Sequence, residues 1–244
     1  MVMVGVITAI HAEANCIVSR KLSFNQMVRL SDDAAIWICG MGDSAARQAA
    51  KGLLESGATA LVSFGVAGAL DASLRSGDLV LPESINVNGE IIPVTTDWRD
   101  QLKQLLPSDL TVVGGTLAAS KEVVSTESTK RELANVTSAC AVDMESGAIA
   151  EVAANAGIPF IAIRAITDPI EFSPPTALLS AVYPDGSVNA MRLMSLILKR
   201  SVGIGTLVRL GKGMRAASNT LSVVARGSDE ELGNISAAFA RTEH

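Results

Sequence analysis

Three short stretches of this 244-residue sequence place charged groups where apolar segments end. Arg164-Ala165-Ile166-Thr167-Asp168-Pro169 closes the most apolar strand of the chain, residues 159–166. Arg164 is a full charge inside that strand, and a buried guanidinium needs an anionic partner, either a carboxylate or a ligand. Asp168 before proline opens a turn in the ordinary course. At the carboxyl end of a strand in an α/β sheet it also stands where ligands bind. Asp143-Met144-Glu145 lies between a strand and a helix. Capping and the helix dipole account for acids there, while the Glu145 carboxylate is also able to accept both protons of a diol. Glu13, in His11-Ala12-Glu13-Ala14 after the first strand, reads alone as a solvated helix-start residue.

Two glycine-rich segments flank these groups. Gly40-Met41-Gly42-Asp43-Ser44-Ala45 follows a strand and opens a helix, a partial match to the fingerprint that holds a dinucleotide phosphate. That fold needs an acid at the end of the next strand, which here ends Ser63-Phe64-Gly65. A nicotinamide cofactor is therefore disfavoured. What remains is a helix end able to face an anion, or simply a tight turn that needs glycine. Gly65-Val66-Ala67-Gly68-Ala69 reads as a second small-residue turn at a strand end.

The elements that must carry these groups alternate. Strands are expected at residues 2–10, 26–30, 34–39, 60–65, 78–82, 85–94 (a hairpin with an Asn88-Gly89 turn), 139–142 and 159–166. Helices are expected at 42–56, 97–106, 127–134 and 145–154. The alternation predicts an α/β fold, a single domain over residues 1–225 with a mixed central β-sheet flanked by helices. Residues 168–225 form its helical, basic C-terminal extension, with loop signals at Ser173-Pro174-Pro175 and Tyr183-Pro184-Asp185-Gly186 and helices at 188–199 and 205–217. Residues 226–244 are polar and weakly periodic and are expected to be a flexible tail.

Composition narrows the classes. Hydrophobic residues make up 48% and charged residues 18%, enough for a sizeable core. A formal net charge of −5 argues against a nucleic-acid partner. The acids are unevenly spread: between Asp185 and Asp229 there is none, while Arg192, Lys199, Arg200, Arg209, Lys212, Arg215 and Arg226 are basic. Cys16, Cys39 and Cys140 are scattered in apolar runs, and with only His11 and His244 they supply no zinc set, so no metal is expected. Residues 1–10 lack the basic flank of a signal peptide, which points to a cytoplasmic chain.

Taken together, Gly5–Glu13, Gly40–Gly42, Gly65–Pro82, Ala141–Glu145 and Arg164–Asp168 resemble, in order, the purine nucleoside phosphorylase and methylthioadenosine nucleosidase superfamily. The most specific parts are Ala141-Val142-Asp143-Met144-Glu145 and Arg164-Ala165-Ile166-Thr167-Asp168. The resemblance implies cleavage of the N-ribosidic bond of a purine nucleoside. It makes Asp168 the acid that protonates the base at N7, and Glu13 the glutamate that activates water in the hydrolytic branch. Arg164 becomes the arginine near the nucleophile, Glu145 the carboxylate that binds ribose hydroxyls, and Met144 a wall of the sugar site. Val123 and Val124 fall in the base-binding loop, and Val66, Ala67 and Gly68 in the loop near the sugar or nucleophile. The sequence departs from the family at two places. Val66 stands where nucleosidases carry serine, and residues 8–14 lack the arginine that hexameric phosphorylases use for phosphate. Water and phosphate both remain open as nucleophile.

The chemistry suits these residue types. The transition state is oxocarbenium-like, and the base must take up a proton to leave. Asp168 therefore has to hold a proton near neutrality, for which burial by its apolar strand is the expected cause. No cofactor is implied, with inorganic phosphate the one potential co-substrate. Residues 178–215 resemble the hopanoid-biosynthesis branch, which is described as removing adenine from adenosylhopane. A basic segment rich in Leu, Met and Ile suits peripheral contact with an anionic membrane, and two ordinary packing helices explain it as well. The alternatives are a nucleosidase for methylthioadenosine or adenosylhomocysteine, and a non-catalytic nucleoside- or lipid-binding protein, which Val66 keeps open. The resemblance also implies a homo-oligomer of unspecified size.

Overall fold

A computed structural model describes residues 3–173, 202–226 and 232–242, together with 178, 181, 183, 189, 191, 195–196 and 199. Their eleven strands form one mixed sheet. It starts from β1 (Val4–Thr8), which pairs in parallel with β3 (Ala34–Ile38) on one side and β4 (Ala60–Ala69) on the other. β2 (Met27–Arg29) adds an antiparallel edge to β3. Beyond β4 come β10 (Ala141–Asp143), β9 (Thr116–Ala119), β6 (Ser84–Val87) and β7 (Glu90–Pro93). A branch carries β11 (Phe160–Asp168), β5 (Leu79–Val80) and β8 (Val112–Val113).

Helices cover both faces, so the central strands are apolar on both sides. Along β1, Val4 and Val6 enter one core with Ile36, Val62, Ile161 and Ile163, while Ile7 faces the other with Ala49, Leu53 and Leu61. The second face is closed by α2 (Asp43–Glu55) and α5 (Ser146–Ala156). The first is closed by α3 (Thr96–Leu105) and two C-terminal helices, α6 (Ile204–Ala225) and α7 (Gly233–Ala240). The described residues also include α1 (His11–Ala14), a single turn, and α4 (Glu127–Thr137).

Four expectations need correction. Residues 65–69 are not a turn: β4 runs on through Ala69, pairing with β11 as far as Gly68 and with β10 at Gly68 and Ala69. The glycine at 65 answers a packing need, because a Cβ there would lie 2.3 Å from Glu13 Oε1. Within the expected tail, residues 232–242 are packed: α7 buries Ile235, Ala238 and Phe239, with Leu232 before it, while residues 227–231 and 243–244 lie outside the described residues. Trp98 of α3 packs against Phe239 with the rings tilted by 57° at 4.6 Å between centroids, and donates its indole N–H to the Ile235 carbonyl (3.1 Å). The strand β9, which bridges β10 and β6, was not anticipated. α6 continues to Ala225, well beyond residue 217.

Cys16 and Cys39 are buried and Cys140 is half-buried, all as free thiols. The expected helix at 188–199 and the Tyr183-Pro184-Asp185-Gly186 loop lie largely outside the described residues. Among the described residues no helix is long and apolar enough to cross a membrane. The end of β11 is clamped by α6 at Gly213, where a Cβ would meet the Thr167 carbonyl oxygen at 2.1 Å.

Candidate active site

The carboxyl ends of β1, β4, β10 and β11 converge on one cavity of about 270 Å³, the position where open α/β sheets bind ligands. Its walls are mainly apolar, from Ile10, Met41, Val66, Val123, Val124, Val142 and Met144, with Glu13, Glu145 and Asp168 set into them. Ala67 and Gly68 complete the β4 wall. Of the residues to which the family resemblance gives a site role, all line this space except Arg164, which sits behind it.

Glu13 is delivered by the single turn of α1 and is buried. Its Oε2 accepts from the Ala9 N–H (2.8 Å) and the Ile10 N–H (3.1 Å), and Oε1 accepts from the Val66 N–H (2.9 Å). Burial pushes this carboxyl above the usual range; the Arg164 charge and then the three N–H donors oppose the shift. Glu145 stands just before α5, its carboxyl sunk among protein atoms, and its Oε1 accepts from the Gly42 N–H at 2.7 Å. Burial first, then the neighbouring Asp143, push it up to about 7. The Gly40–Gly42 turn thus aims an N–H at a glutamate of the chain itself.

Arg164 has found a carboxylate. Its guanidinium reaches Asp143 Oδ2 through Nε (2.7 Å) and Nη2 (2.6 Å), and Nη2 also donates to Ser63 Oγ (2.6 Å). The Ser146 hydroxyl and N–H complete the Asp143 shell at 2.6 and 3.1 Å. Both ions are almost wholly enclosed, and the Asp143–Arg164 pair forms a charged floor beneath Glu13 and Glu145.

Asp168 ends β11 where the pairing with β4 shifts register between Ile166 and Asp168. Its surroundings differ from the apolar setting expected from the strand before it. Thr167 Oγ1 lies 2.7 Å from Oδ1, and the ammonium of Lys130 on α4 donates to Oδ2 at 2.5 Å. Sequence reasoning missed Lys130, because a lysine on an amphipathic helix ordinarily faces water and nothing local marks this one as buried. Asp143 stands in the same motif as Glu145, but the sequence left a carboxylate and a ligand equally open as the partner of Arg164. Among the described residues no group of three His, Cys, Asp or Glu side chains is placed to hold a metal ion.

This sheet, with acids at its carboxyl edge, defines the class of protein: residues 26–202 match the Phosphorylase superfamily, and the chain belongs to it. Over 159 residues it is 27% identical to a 5′-methylthioadenosine/S-adenosylhomocysteine nucleosidase of Buchnera aphidicola subsp. Schizaphis graminum, covering 57% of this chain and 67% of that one. The fold is that of the nucleosidase of the same description from Neisseria meningitidis, solved with methylthio-immucillin-A (TM-score 0.69, 16% identity, 99% of this chain and 100% of that one). It is also that of the Helicobacter pylori futalosine hydrolase (TM-score 0.65, 16% identity, 91% and 97% covered).

Proposed function

We propose that the protein releases the base of an adenine nucleoside by cleaving its N-ribosidic bond. The enzyme class, N-glycosyl bond cleavage, comes with the family. The observation that carries the rest is the placement of the Glu13, Glu145 and Asp168 carboxyl groups around one mainly apolar cavity at the sheet edge. Asp168 gives its proton to N7 as the bond to the sugar breaks and the electron pair leaves with the base. Glu145 accepts the ribose hydroxyls and faces the cationic sugar, and Met144 packs against it. Glu13 takes the proton of an attacking water. Arg164 acts from behind, holding Asp143 and balancing the charge of Glu13. Val123 and Val124 close over the base. No step uses a cofactor.

The likeness to the Buchnera nucleosidase supports methylthioadenosine or adenosylhomocysteine as the substrate type. One observation favours a lipid-linked nucleoside such as adenosylhopane. The first half of α6 leaves Ile204 68% and Val208 50% exposed beside Arg209, Lys212 and Arg215. That face suits a cytoplasmic chain that touches an anionic membrane.

Adenine release from methylthioadenosine, adenosylhomocysteine and adenosylhopane, each with and without phosphate, tests the reading and identifies the nucleophile. Asp168→Asn is expected to lower release by about 10²–10⁴-fold while nucleoside binding persists. Unchanged turnover would remove Asp168 from the reaction, and binding without release by the wild type would leave a non-catalytic binding protein.

A further inference from the structure

Lys130 is a buried cation that the reading above does not use. Its side chain is fully enclosed. The three N–H bonds of its ammonium match three acceptors: Asp168 Oδ2 at 2.5 Å, the Pro169 carbonyl at 3.1 Å and the Phe172 carbonyl at 3.2 Å. An ammonium withdrawn from water is costly and persists where an anion and full hydrogen bonding compensate it. Asp168 is the carboxylate within its reach, and the two carbonyls belong to the chain that leaves β11 directly after it.

We propose that Lys130 is the positioning residue of the leaving-group acid, fixing the Asp168 carboxyl toward the base and stabilising the carboxylate left once the proton has gone. This rests on the reading of Asp168 as that acid. The geometry supports both parts. Lys130 holds Oδ2 while Thr167 engages Oδ1, so the carboxyl is gripped at both oxygens on a part of β11 that has left regular pairing. The chain beyond is tethered too, since the Arg209 guanidinium of α6 lies 4.4 Å over the Phe172 ring. Asp168 rests as the carboxylate paired with Lys130 and takes up a proton from water as the nucleoside enters. In the step itself the C–N bond breaks, its electron pair passes to the purine, and that proton moves from Asp168 to N7, which restores the paired carboxylate. The new carboxylate is already bonded to the ammonium, which keeps all three of its protons. A charge-assisted bond of this kind is stronger than a neutral one and needs no reorganisation as the charge forms.

The test uses adenine release from methylthioadenosine by the full chain. Lys130→Met is expected to lower kcat by about 100-fold, within the range of a general acid's contribution, with KM inside about threefold of wild type. In an Asp168→Asn background the same substitution is expected to cost nothing further, because both act through one group. Should Lys130→Met fail to fold, Lys130→Gln keeps a donor for the carbonyls without the charge, and is read by the same kcat and KM split. An unchanged kcat, or an equal further loss in the Asp168→Asn background, would overturn the inference while leaving the proposed reaction standing. A wild type that releases no adenine from any of the three nucleosides would sink the proposed reaction, and this inference with it.

Discussion

Replacing Glu145 by glutamine separates what its burial costs the fold from what its charge gives the reaction. The folded chain holds this carboxyl at about 7, against an ordinary value of 4.5. A carboxyl raised by folding binds its proton more tightly in the folded state, so its favourable contribution is complete below the unfolded value and is lost as pH rises through about 7. At about 1.4 kcal/mol per unit, ionisation costs the fold about 3 kcal/mol near pH ~8 and under about 1 kcal/mol near pH ~5. Glutamine keeps a carbonyl oxygen for the Gly42 N–H and carries no charge. Glu145→Gln is therefore expected to gain about 2 kcal/mol on the wild type between those two conditions. For a chain of this size that is a melting advantage growing by about 5–8 °C, readable by calorimetry across the pH series. The same variant is expected to lose adenine release, since the amide no longer offers an anion to the cationic sugar. Parallel melting curves for the two proteins from acid to alkali would refute the reasoning, because they would mean that Glu145 pays no ionisation cost on folding.

Two further substitutions test the floor and the β4 wall. Arg164→Met strands Asp143 as an uncompensated buried charge and is expected to cost about 3–5 kcal/mol in urea denaturation, with Asp143→Asn added in the same chain restoring part of the loss. Gly65→Ala places a methyl 2.3 Å from Glu13 Oε1. It is expected to reduce adenine release more than stability, because Glu13 moves before the sheet does; retained turnover would free Glu13 from its proposed role.

Much of the fold is legible because its signals are local. The alternation in β1 and the spacing of Ala46, Ala49, Ala50 and Leu53 in α2 each state which face is covered. The misreadings share a cause of the opposite kind. Glycines 65 and 68 read as punctuation, yet β4 continues through them and at Gly65 it is Glu13, more than fifty residues earlier, that excludes a side chain. Leu232, Ile235 and Phe239 do have helical spacing, but the face they bury is defined by Trp98, more than 130 residues away. Small alanines between them weaken the periodicity. The acids of the site were legible as types in order along strand ends. Their partners were not, since whether Arg164 meets Asp143, or Lys130 meets Asp168, is decided only when distant elements pack.

Those partners change the meaning of the site. Four acidic groups, Glu13, Asp143, Glu145 and Asp168, share the cavity and its floor with two enclosed cations, Arg164 and Lys130. Each cation is committed in contact to one acid: Arg164 to Asp143, Lys130 to Asp168. Glu13 and Glu145 are left with backbone N–H donors for direct partners, and these are the two whose carboxyls are pushed up. Desolvation without a contacting cation makes their anionic forms costly. In the proposed reaction, a sugar that becomes cationic between them would supply the missing charge. The relief is greatest when the positive charge is fullest, at the transition state, and least for the neutral nucleoside. The strain carried by Glu13 and Glu145 in the resting protein is in this view the source of differential binding. In the proposed reaction, Lys130 would give the opposite end its complement, a fixed cation where the departing proton leaves an anion behind.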